Sequence, residues 1–414
     1  MSAIALLLGL LVLSYMGGIV RGGRAIQGFG LPSGAEYLCL GFVFGSHVLG
    51  LIPEALLDTF RPLLLVGAAW IALVSGLGYT RIGARRIQLG SALVGVLSAA
   101  LVGSAVGAAV WFALPRLRPE LSPDRSLIAG GMAIVSCAST RHAVRWVVQR
   151  YAAKGPLSDA LADYARASAL VPIFGLSLLL AQTPEPGLIA IGFLGRVALT
   201  WAIGGVLGLV AVLLIGRGLT RDEIWGVIAG TLLLAVGVAA ELGLSGVSAA
   251  FSLGLTLGVL SSRRPELVRM LRPTESAVLL PLAVLAGALV TLREAPLSWV
   301  LIPLGLGARF SAELVRGALL ALCSRTARPA GPLVGLGMMS MGEITLACAV
   351  SLALSFDRGA SKTVLAIGVI GVLAGELIGP LALRRALRRA GELEAGEPEP
   401  GRLSLEPEGS EAEA

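Results

Sequence analysis

The sequence predicts an all-α polytopic membrane protein with about thirteen transmembrane helices. The 414-residue chain is 56% apolar and only 14% charged, with a mean hydropathy of +0.85. Soluble domains, by comparison, carry about 25% charged residues. The apolar residues also lie in blocks of roughly 17–28 residues, which is the length that a helix needs to cross a bilayer. Composition and block length together exclude a set of soluble domains.

Thirteen apolar segments are separated by charged residues, prolines or glycines. In chain order they are residues 2–20, 32–52, 62–79, 88–114, 127–149, 157–182, 187–216, 223–241, 245–261, 276–292, 297–323, 331–356 and 362–387. The eighth and ninth segments are short and can also be read as a single span. The first segment has no positive charge before it, which favours a membrane span over a signal peptide.

The basic residues between these segments predict the orientation of the chain. With thirteen spans, 21 Lys and Arg residues fall on the side that holds the C-terminus and 7 fall on the other side. Cytoplasmic loops carry the excess of Lys and Arg. We therefore expect a multi-pass protein of the cell (inner) membrane, with its N-terminus outside and its C-terminus in the cytoplasm.

The composition changes sharply after the last segment. Residues 391–414 contain eight glutamates and one arginine, which is typical of a disordered, solvated tail. We therefore divide the chain into a membrane domain of residues 1–390 and an acidic cytoplasmic tail of residues 391–414.

Several function classes are disfavoured by the residues present. The formal charge of +7 suggests a nucleic-acid partner, but the basic residues form no stripe with interleaved aromatics, so none is expected. The four cysteines lack CxxC spacing and the two histidines lack ligand spacing, so we expect no metal and no cofactor. Without a Walker loop or a nucleophile elbow, the sequence does not indicate an enzyme.

Ten charged or titratable side chains lie inside the predicted spans. They are Arg141, His142, Asp163, Arg166, Arg196, Arg309, Glu313, Arg316, Glu343 and Glu376. A charge at the bilayer centre costs about 2.5–3.5 kcal/mol, so these groups must pair or face water. Arg309, Glu313 and Arg316 share one helix face at i, i+4 and i+7, and Asp163 and Arg166 are spaced at i and i+3. Either a hydrated pathway or salt bridges that join helices would satisfy them.

Two segments contain residues that interrupt a helix at membrane depth. Residues 130–144 place Gly, Ser, Cys, Ser and Thr in mid-span before an Arg-His pair, and residues 335–350 place Gly-Glu in mid-span. The freed carbonyls and amides of a broken helix can bind ions. Paired interruptions predict a transporter of two inverted-topology repeats whose broken helices cross at the midplane. Close helix packing would explain the small residues but not the charges.

Seven stretches resemble, in order, motifs of the monovalent cation:proton antiporter superfamily, in particular its sodium/proton and potassium-efflux branch. They are residues 28–52, 135–144, 169–181, 239–260, 271–290, 341–354 and 378–387. The resemblance implies a cation/proton exchanger-like membrane domain, a mobile core that moves against a panel, and a homodimer. It also implies exchange of Na⁺ or K⁺ for protons by alternating access.

In this superfamily, one or two carboxylates of the sixth span bind either a cation or protons. Desolvation favours the protonated form of a carboxylate, so the two ligands compete for one charge. Aligning the chain on residues 168–172 places Arg166 and Ala167 at the position of that acidic pair. Asp163 lies one helical turn before Ala167, and it becomes the candidate for the shared carboxylate.

The remaining site candidates follow from the resemblance. Ser139, Thr140 and Glu343 are expected to line the crossing together with Asp163. The expected charge partners are Arg166, Arg309, Glu313, Arg141 and His142. The alternative is a divergent protein that exchanges no cation and acts as a regulatory or partner subunit, or that carries another solute, such as an anion attracted by the arginines.

Overall fold

A computed structural model of the protein describes residues 34–46, 48–79, 89–182, 192–216, 218–290, 298–356 and 359–393, and positions 5, 6, 9 and 12. The regular structure of these residues is helical, apart from one isolated bridge between Gly45 and Ile52. Most of the predicted first span (2–20) and the acidic tail from residue 394 onward lie outside the described residues.

The first half of the chain contains eight α-helices and one 3₁₀ helix, Pro119–Asp124, within the described ranges. The α-helices are α1 (Glu36–Phe44), α2 (Glu54–Thr59), α3 (Arg61–Leu77), α4 (Leu89–Leu117), α5 (Arg125–Cys137), α6 (Arg141–Arg150), α7 (Pro156–Ser168) and α8 (Leu170–Ala181).

The second half contributes another eight helices over the ranges described. They are α9 (Phe193–Ile215), α10 (Arg221–Glu241), α11 (Gly246–Leu260), α12 (Arg264–Ala288), α13 (Ser298–Cys323), α14 (Leu333–Gly337), α15 (Glu343–Ser355) and α16 (Gly359–Arg389).

Seven helical segments of the described chain are long and apolar enough to cross a membrane. Three shorter apolar helices, α3, α11 and α15, accompany them. The 26-residue α13 carries Arg309, Glu313 and Arg316 along its length, so it falls outside that group despite its length. The all-α polytopic fold class is confirmed, whereas the count of thirteen spans stays a prediction.

Two predicted segments differ from the structure in their bounds. Among the described residues of the segment 32–52, which are 34–46 and 48–52, the helical part is α1, because Gly45 turns to extended backbone and Gly50 adopts a left-handed conformation with φ 63°. The segment 276–292 begins earlier, at Arg264, where Pro265 and Glu266 occupy the first turn of α12. Proline and an acidic residue are favourable at a helix start, although this stretch reads as a basic loop. By contrast, the eighth and ninth segments are two separate helices, α10 and α11.

Both predicted broken helices are present. Residues 138–140 separate α5 from α6, and residues 338–342 separate α14 from α15. The long helix α16 contacts all four of these half-helices. Helix α16 therefore fixes the positions of the two interruptions relative to each other.

Glycines permit the close packing of α3 against α11. A Cβ atom at Gly76 would collide with the backbone of Phe251, and one at Gly254 would collide with the backbone of Leu73. Small residues that let helix backbones approach are a common packing device in membrane proteins. This pair forms a rigid body beside the broken helices, since α3 and α11 also contact α15.

Candidate functional site where two broken helices cross

The two unwound segments contact each other directly. The backbone N–H of Thr140 donates to the carbonyl of Ser340 at 2.9 Å, and Ser139 Oγ donates to the carbonyl of Met338 at 2.6 Å. Thr140 Oγ1 donates to Glu343 Oε2 at 2.8 Å. Three of the predicted site residues, Ser139, Thr140 and Glu343, therefore lie together at the crossing.

The side chain of Arg309 forms hydrogen bonds at the carboxyl-terminal ends of two half-helices. Its Nη2 donates to the carbonyl of Ala138, just after α5, and to the carbonyl of Met339, just after α14, both at 3.1 Å. The side chain is 1% exposed. A cation at a helix C-terminus satisfies orphan carbonyls and complements the helix dipole. Arg309 thus stabilises both ends that the interruptions expose.

Glu313 joins Arg309 to Arg316 on the same face of α13. Its Oε2 lies 2.7 Å from Arg316 and its Oε1 lies 3.6 Å from Arg309, with all three side chains 1% exposed or less. Arg316 Nη2 also donates to Ser139 Oγ at 3.2 Å. The structure therefore brings together the three residues that the i, i+4, i+7 spacing groups. Because they are buried and mutually paired, they form a rigid support for the unwound segment.

The amino-terminal ends of the other two half-helices meet at Glu343. This residue begins α15, and Thr140, which donates to it, is the N-cap of α6, accepting from the N–H of His142 at 3.1 Å. Negative charge is favourable at helix N-termini. Glu343 therefore complements the two ends opposite those that Arg309 complements.

A second buried charge cluster links α6 to α12. Arg141 Nη2 donates to both carboxylate oxygens of Glu275, at 2.8 and 3.0 Å. His142 Nε2 lies 3.4 Å from Glu275 Oε1 and 3.7 Å from Glu343 Oε1. Arg141 Nε is 3.9 Å from the same Glu343 oxygen. Glu275 was not predicted as a site residue, since residue 275 precedes the predicted span 276–292. The helix-start signal at Pro265 would have placed it within a helix.

The candidate carboxylate Asp163 lies outside this cluster. It pairs with Arg166 across one turn of α7 at 3.4 Å, and both side chains are 32% exposed. Tyr79 Oη donates to the backbone carbonyl of Arg166 at 2.6 Å, which ties α7 to the end of α3. The structure therefore places Asp163 beside the crossing rather than within it.

A small cavity opens where these groups converge. Its polar lining includes Ser139, Thr140, Arg141, Arg166, Glu343 and Thr345. Its volume of about 10 Å³ is close to what one water molecule needs. The Oγ1 atom of Thr345 is buried without a hydrogen-bond partner among the described residues, so the lining contains a hydroxyl that a bound ion or water could use. Thr345 was not among the site residues predicted from the sequence.

The chain is similar to solved structures of the sodium proton antiporter MjNhaP1 from Methanocaldococcus jannaschii. The structure at pH 8 matches with a TM-score of 0.70 and 16% identity, over 94% of this chain and 99% of that chain. An electron-microscopy structure of the same antiporter matches with a TM-score of 0.66 and 16% identity, over 96% and 100% of the two chains. The protein has the fold of this sodium proton antiporter.

The similarity to known proteins lies in the three-dimensional structure. No family model matches the chain, and no curated protein matches it. Where the superfamily's acidic pair is expected, Ala167 is buried against Gly95 of α4, where a Cβ atom on the glycine would collide with it. Arg166 faces the cavity. The antiporter fold is thus kept while the local chemistry of the sixth span differs.

Proposed function

We propose that the protein exchanges a monovalent cation, Na⁺ or K⁺, for protons by alternating access. In this proposal Asp163 is the carboxylate that the proton and the cation share, and Arg166 is its counter-charge between ions. Ser139, Thr140 and Glu343 line the crossing through which the ion passes. The exchanger works as a homodimer in the cell membrane.

What most supports exchange is the charge balance around the cavity. Each arginine of the lining has its own carboxylate, with Arg141 paired to Glu275 and Arg166 paired to Asp163. Glu343 is a third carboxylate. Within this set of five groups, two arginines and three carboxylates leave one negative charge in excess when all are ionised. The exposed Arg145, whose charge also acts on Glu275 and Glu343, lines a different cavity. The group therefore attracts a proton or a small cation more than an anion.

Asp163 is the most accessible carboxylate of the group. Glu275 and Glu343 are 3% and 4% exposed and are held by close hydrogen bonds, whereas Asp163 is 32% exposed and contacts Arg166 at 3.4 Å. A cation or a proton can replace Arg166 at this carboxylate with little loss of structure. Because both ligands neutralise one charge, they compete.

Ion-driven pH change in vesicles tests exchange. Purified protein is reconstituted in vesicles with an imposed pH gradient, and Na⁺, K⁺ or Li⁺ is then added. We expect one of these cations to collapse the gradient. We also expect its apparent KM to rise as the pH falls, by about tenfold per unit where the carboxylate is mostly protonated, because protons compete with the cation. Protein-free vesicles report passive leak. No response to any of the cations between about pH 6 and 9 would contradict the proposal.

The second candidate is a carrier or partner subunit that exchanges no cation. It is favoured by the cavity lining, in which Arg141 and Arg166 outnumber the one lining carboxylate, Glu343. If the cation response is absent, the same vesicles are challenged with chloride, phosphate and acetate gradients. Anion-driven flux that is lost in Arg166→Gln would support this candidate instead.

A further inference from the structure

Three metal-ligand atoms converge beside the crossing. They are Nε2 of His142, Oε1 of Glu275 and Oε1 of Glu343, and all of them lie within 4.8 Å of one another. They come from α6, α12 and α15, which are distant in sequence. No ligand spacing along the chain could therefore reveal the group.

The separations fit a small coordinated ion. Nε2 of His142 is 3.4 Å from the Glu275 oxygen and 3.7 Å from the Glu343 oxygen. Zinc binds imidazole nitrogen and carboxylate oxygen at about 2.0–2.2 Å, which in a tetrahedral site sets the ligands about 3.3–3.6 Å apart. The two separations from His142 match this spacing closely. The carboxylate oxygens of Glu275 and Glu343, which lie within 4.8 Å of each other, would complete three ligands by closing on one ion, leaving a fourth position for water.

The other contacts of these side chains orient the group. Thr140 Oγ1 donates a hydrogen bond to Oε2 of Glu343, and Arg141 Nη2 donates hydrogen bonds to both carboxylate oxygens of Glu275. Hydrogen bonds of this kind fix ligating carboxylates in metal sites. His142 Nε2 is buried and makes no hydrogen bond within the described chain, while the side chain as a whole is 26% exposed. The nitrogen faces the two carboxylate oxygens, and the ring has access to solvent, so a metal that replaces the proton on Nε2 can reach it.

We propose that His142, Glu275 and Glu343 form a binding site for a divalent transition metal such as Zn²⁺ or Co²⁺. The imidazole nitrogen selects such ions over Mg²⁺ and Ca²⁺, which prefer oxygen ligands. The two carboxylates and the positive charge of Arg141 leave one net negative charge, so a bound divalent ion raises the group to one net positive charge, as in zinc sites with one carboxylate ligand.

This site is distinct from the exchange proposed at Asp163 and does not depend on it. A metal bound here ties α6, α12 and α15 together and holds Glu343 at the crossing. Any transport that requires these helices to move would then be blocked by micromolar Zn²⁺.

Cobalt spectroscopy tests the site without any transport assay. Tag-free purified protein is titrated with Co²⁺ alone, and the visible d–d absorption of tetrahedral Co²⁺ is followed. We expect one Co²⁺ per chain, displaced by Zn²⁺ and not by Mg²⁺. His142→Ala and Glu275→Gln should each weaken binding by at least about tenfold.

The chain supplies a matched control, because its other histidine is His47. His47→Ala should bind Co²⁺ as the wild type does. His142→Gln, which keeps side-chain volume, serves as the second variant if His142→Ala does not fold. Binding that survives the His142 substitutions, binding that is lost in His47→Ala, or an octahedral spectrum would overturn the site. Co²⁺ binding in a protein that shows no cation exchange would leave this site standing and reject the exchange proposal alone.

Discussion

At the crossing, Arg309 interacts with the carboxyl-terminal ends of two half-helices and Glu343 lies at the amino-terminal ends of the other two. Arg309 donates to carbonyls that follow α5 and α14, whereas Glu343 lies at the amino-terminal ends of α6 and α15. Each residue therefore complements the partial charges of two interruptions at once. Two buried charges of opposite sign stabilise a geometry that would otherwise expose about sixteen unpaired backbone groups, four at each of four helix ends, to an apolar environment. We therefore assign Glu343 a structural role in addition to lining the cavity.

Replacing Arg166 tests its role as counter-charge to Asp163. In Arg166→Gln the carboxylate loses its fixed partner, so a transported cation no longer competes with the guanidinium 3.4 Å away. We expect the apparent KM for the cation to fall, by about tenfold if the lost competition is worth about 1.4 kcal/mol. The measurement is the cation dependence of gradient collapse in vesicles.

The control for this substitution is Arg145→Gln. Arg145 is exposed on α6 and lines a different cavity, beside Lys154 and Asp159. Its charge acts on Arg166 and Glu343 through space, so its removal shows what the loss of a nearby positive charge does when that charge is not paired with Asp163. An unchanged or raised KM in Arg166→Gln, with Arg145→Gln like the wild type, would show that Arg166 does not compete with the cation.

At the level of single residues, the sequence predicted local pairs and missed distant ones. Spacing along one helix was enough to group Arg309 with Glu313, because residues four apart share a face. The bond between Arg141 and Glu275 joins residues 134 positions apart, and it arises only when α12 packs near α6. Such a contact depends on the tertiary arrangement and leaves no periodic signal in one sequence.

The start of helix α7 is held by the beginning of the acidic tail. Glu392 accepts hydrogen bonds from the N–H groups of Leu157 at 2.5 Å and Ser158 at 2.8 Å. Gly155, the N-cap of α7, has no side chain to perform this function, and a Cβ atom there would collide with the Glu392 carboxylate. One of the first residues of the predicted tail thus contacts the helix that carries Asp163, while the division of the chain at residue 390 stays a prediction.

Removing this capping charge should destabilise the protein. In Glu392→Gln we expect a loss of about 1 kcal/mol, the usual value of a helix N-cap, seen as a lower Tm of the detergent-purified protein. Gly155→Ala should also lower Tm because its methyl group displaces the carboxylate. In a Glu392→Ala background the Gly155→Ala penalty should shrink, since interacting residues are not additive. Equal penalties in both backgrounds would contradict the contact.

The elements themselves were predictable where composition marks them. Gly, Ser and Thr in mid-span, next to charges, correctly indicated both interruptions at residues 138–140 and 338–342. The start of α12 was predicted too late, at residue 276, because four arginines between residues 263 and 272 resemble a loop. Pairing of Arg263 with Glu266 at 2.8 Å shows how such a stretch is accommodated in a helix.

For the whole molecule, the surplus of basic residues on one side predicts an external N-terminus and a cytoplasmic C-terminus. A green fluorescent protein fused after residue 414 should fluoresce, because it folds in the cytoplasm. Alkaline phosphatase fused after Leu117, at the end of α4, should be active because four spans bring that position outside. A fluorescent C-terminal fusion with an inactive phosphatase fusion would require an even number of spans between Leu117 and the C-terminus, instead of the nine that the sequence predicts.

The outer faces of the bundle explain why the oligomeric state stays a prediction. Helix α9 exposes Leu194, Val206 and Leu213, each at least 60% accessible, and an apolar face of this kind suits lipid and a second subunit equally. The fold, by contrast, was predictable from seven ordered motifs, because they are spread over most of the membrane domain and two of them overlap the observed helix interruptions.

The exchange activity of Asp163→Asn, compared with Asp159→Asn, tests the proposed function most directly. Both residues lie on α7 and both substitutions remove one negative charge, but Asp159 is exposed and lines the other cavity. In reconstituted vesicles of equal protein content, we expect cation-driven gradient collapse to be lost in Asp163→Asn and retained in Asp159→Asn. Full exchange by Asp163→Asn would contradict the assignment of the shared carboxylate.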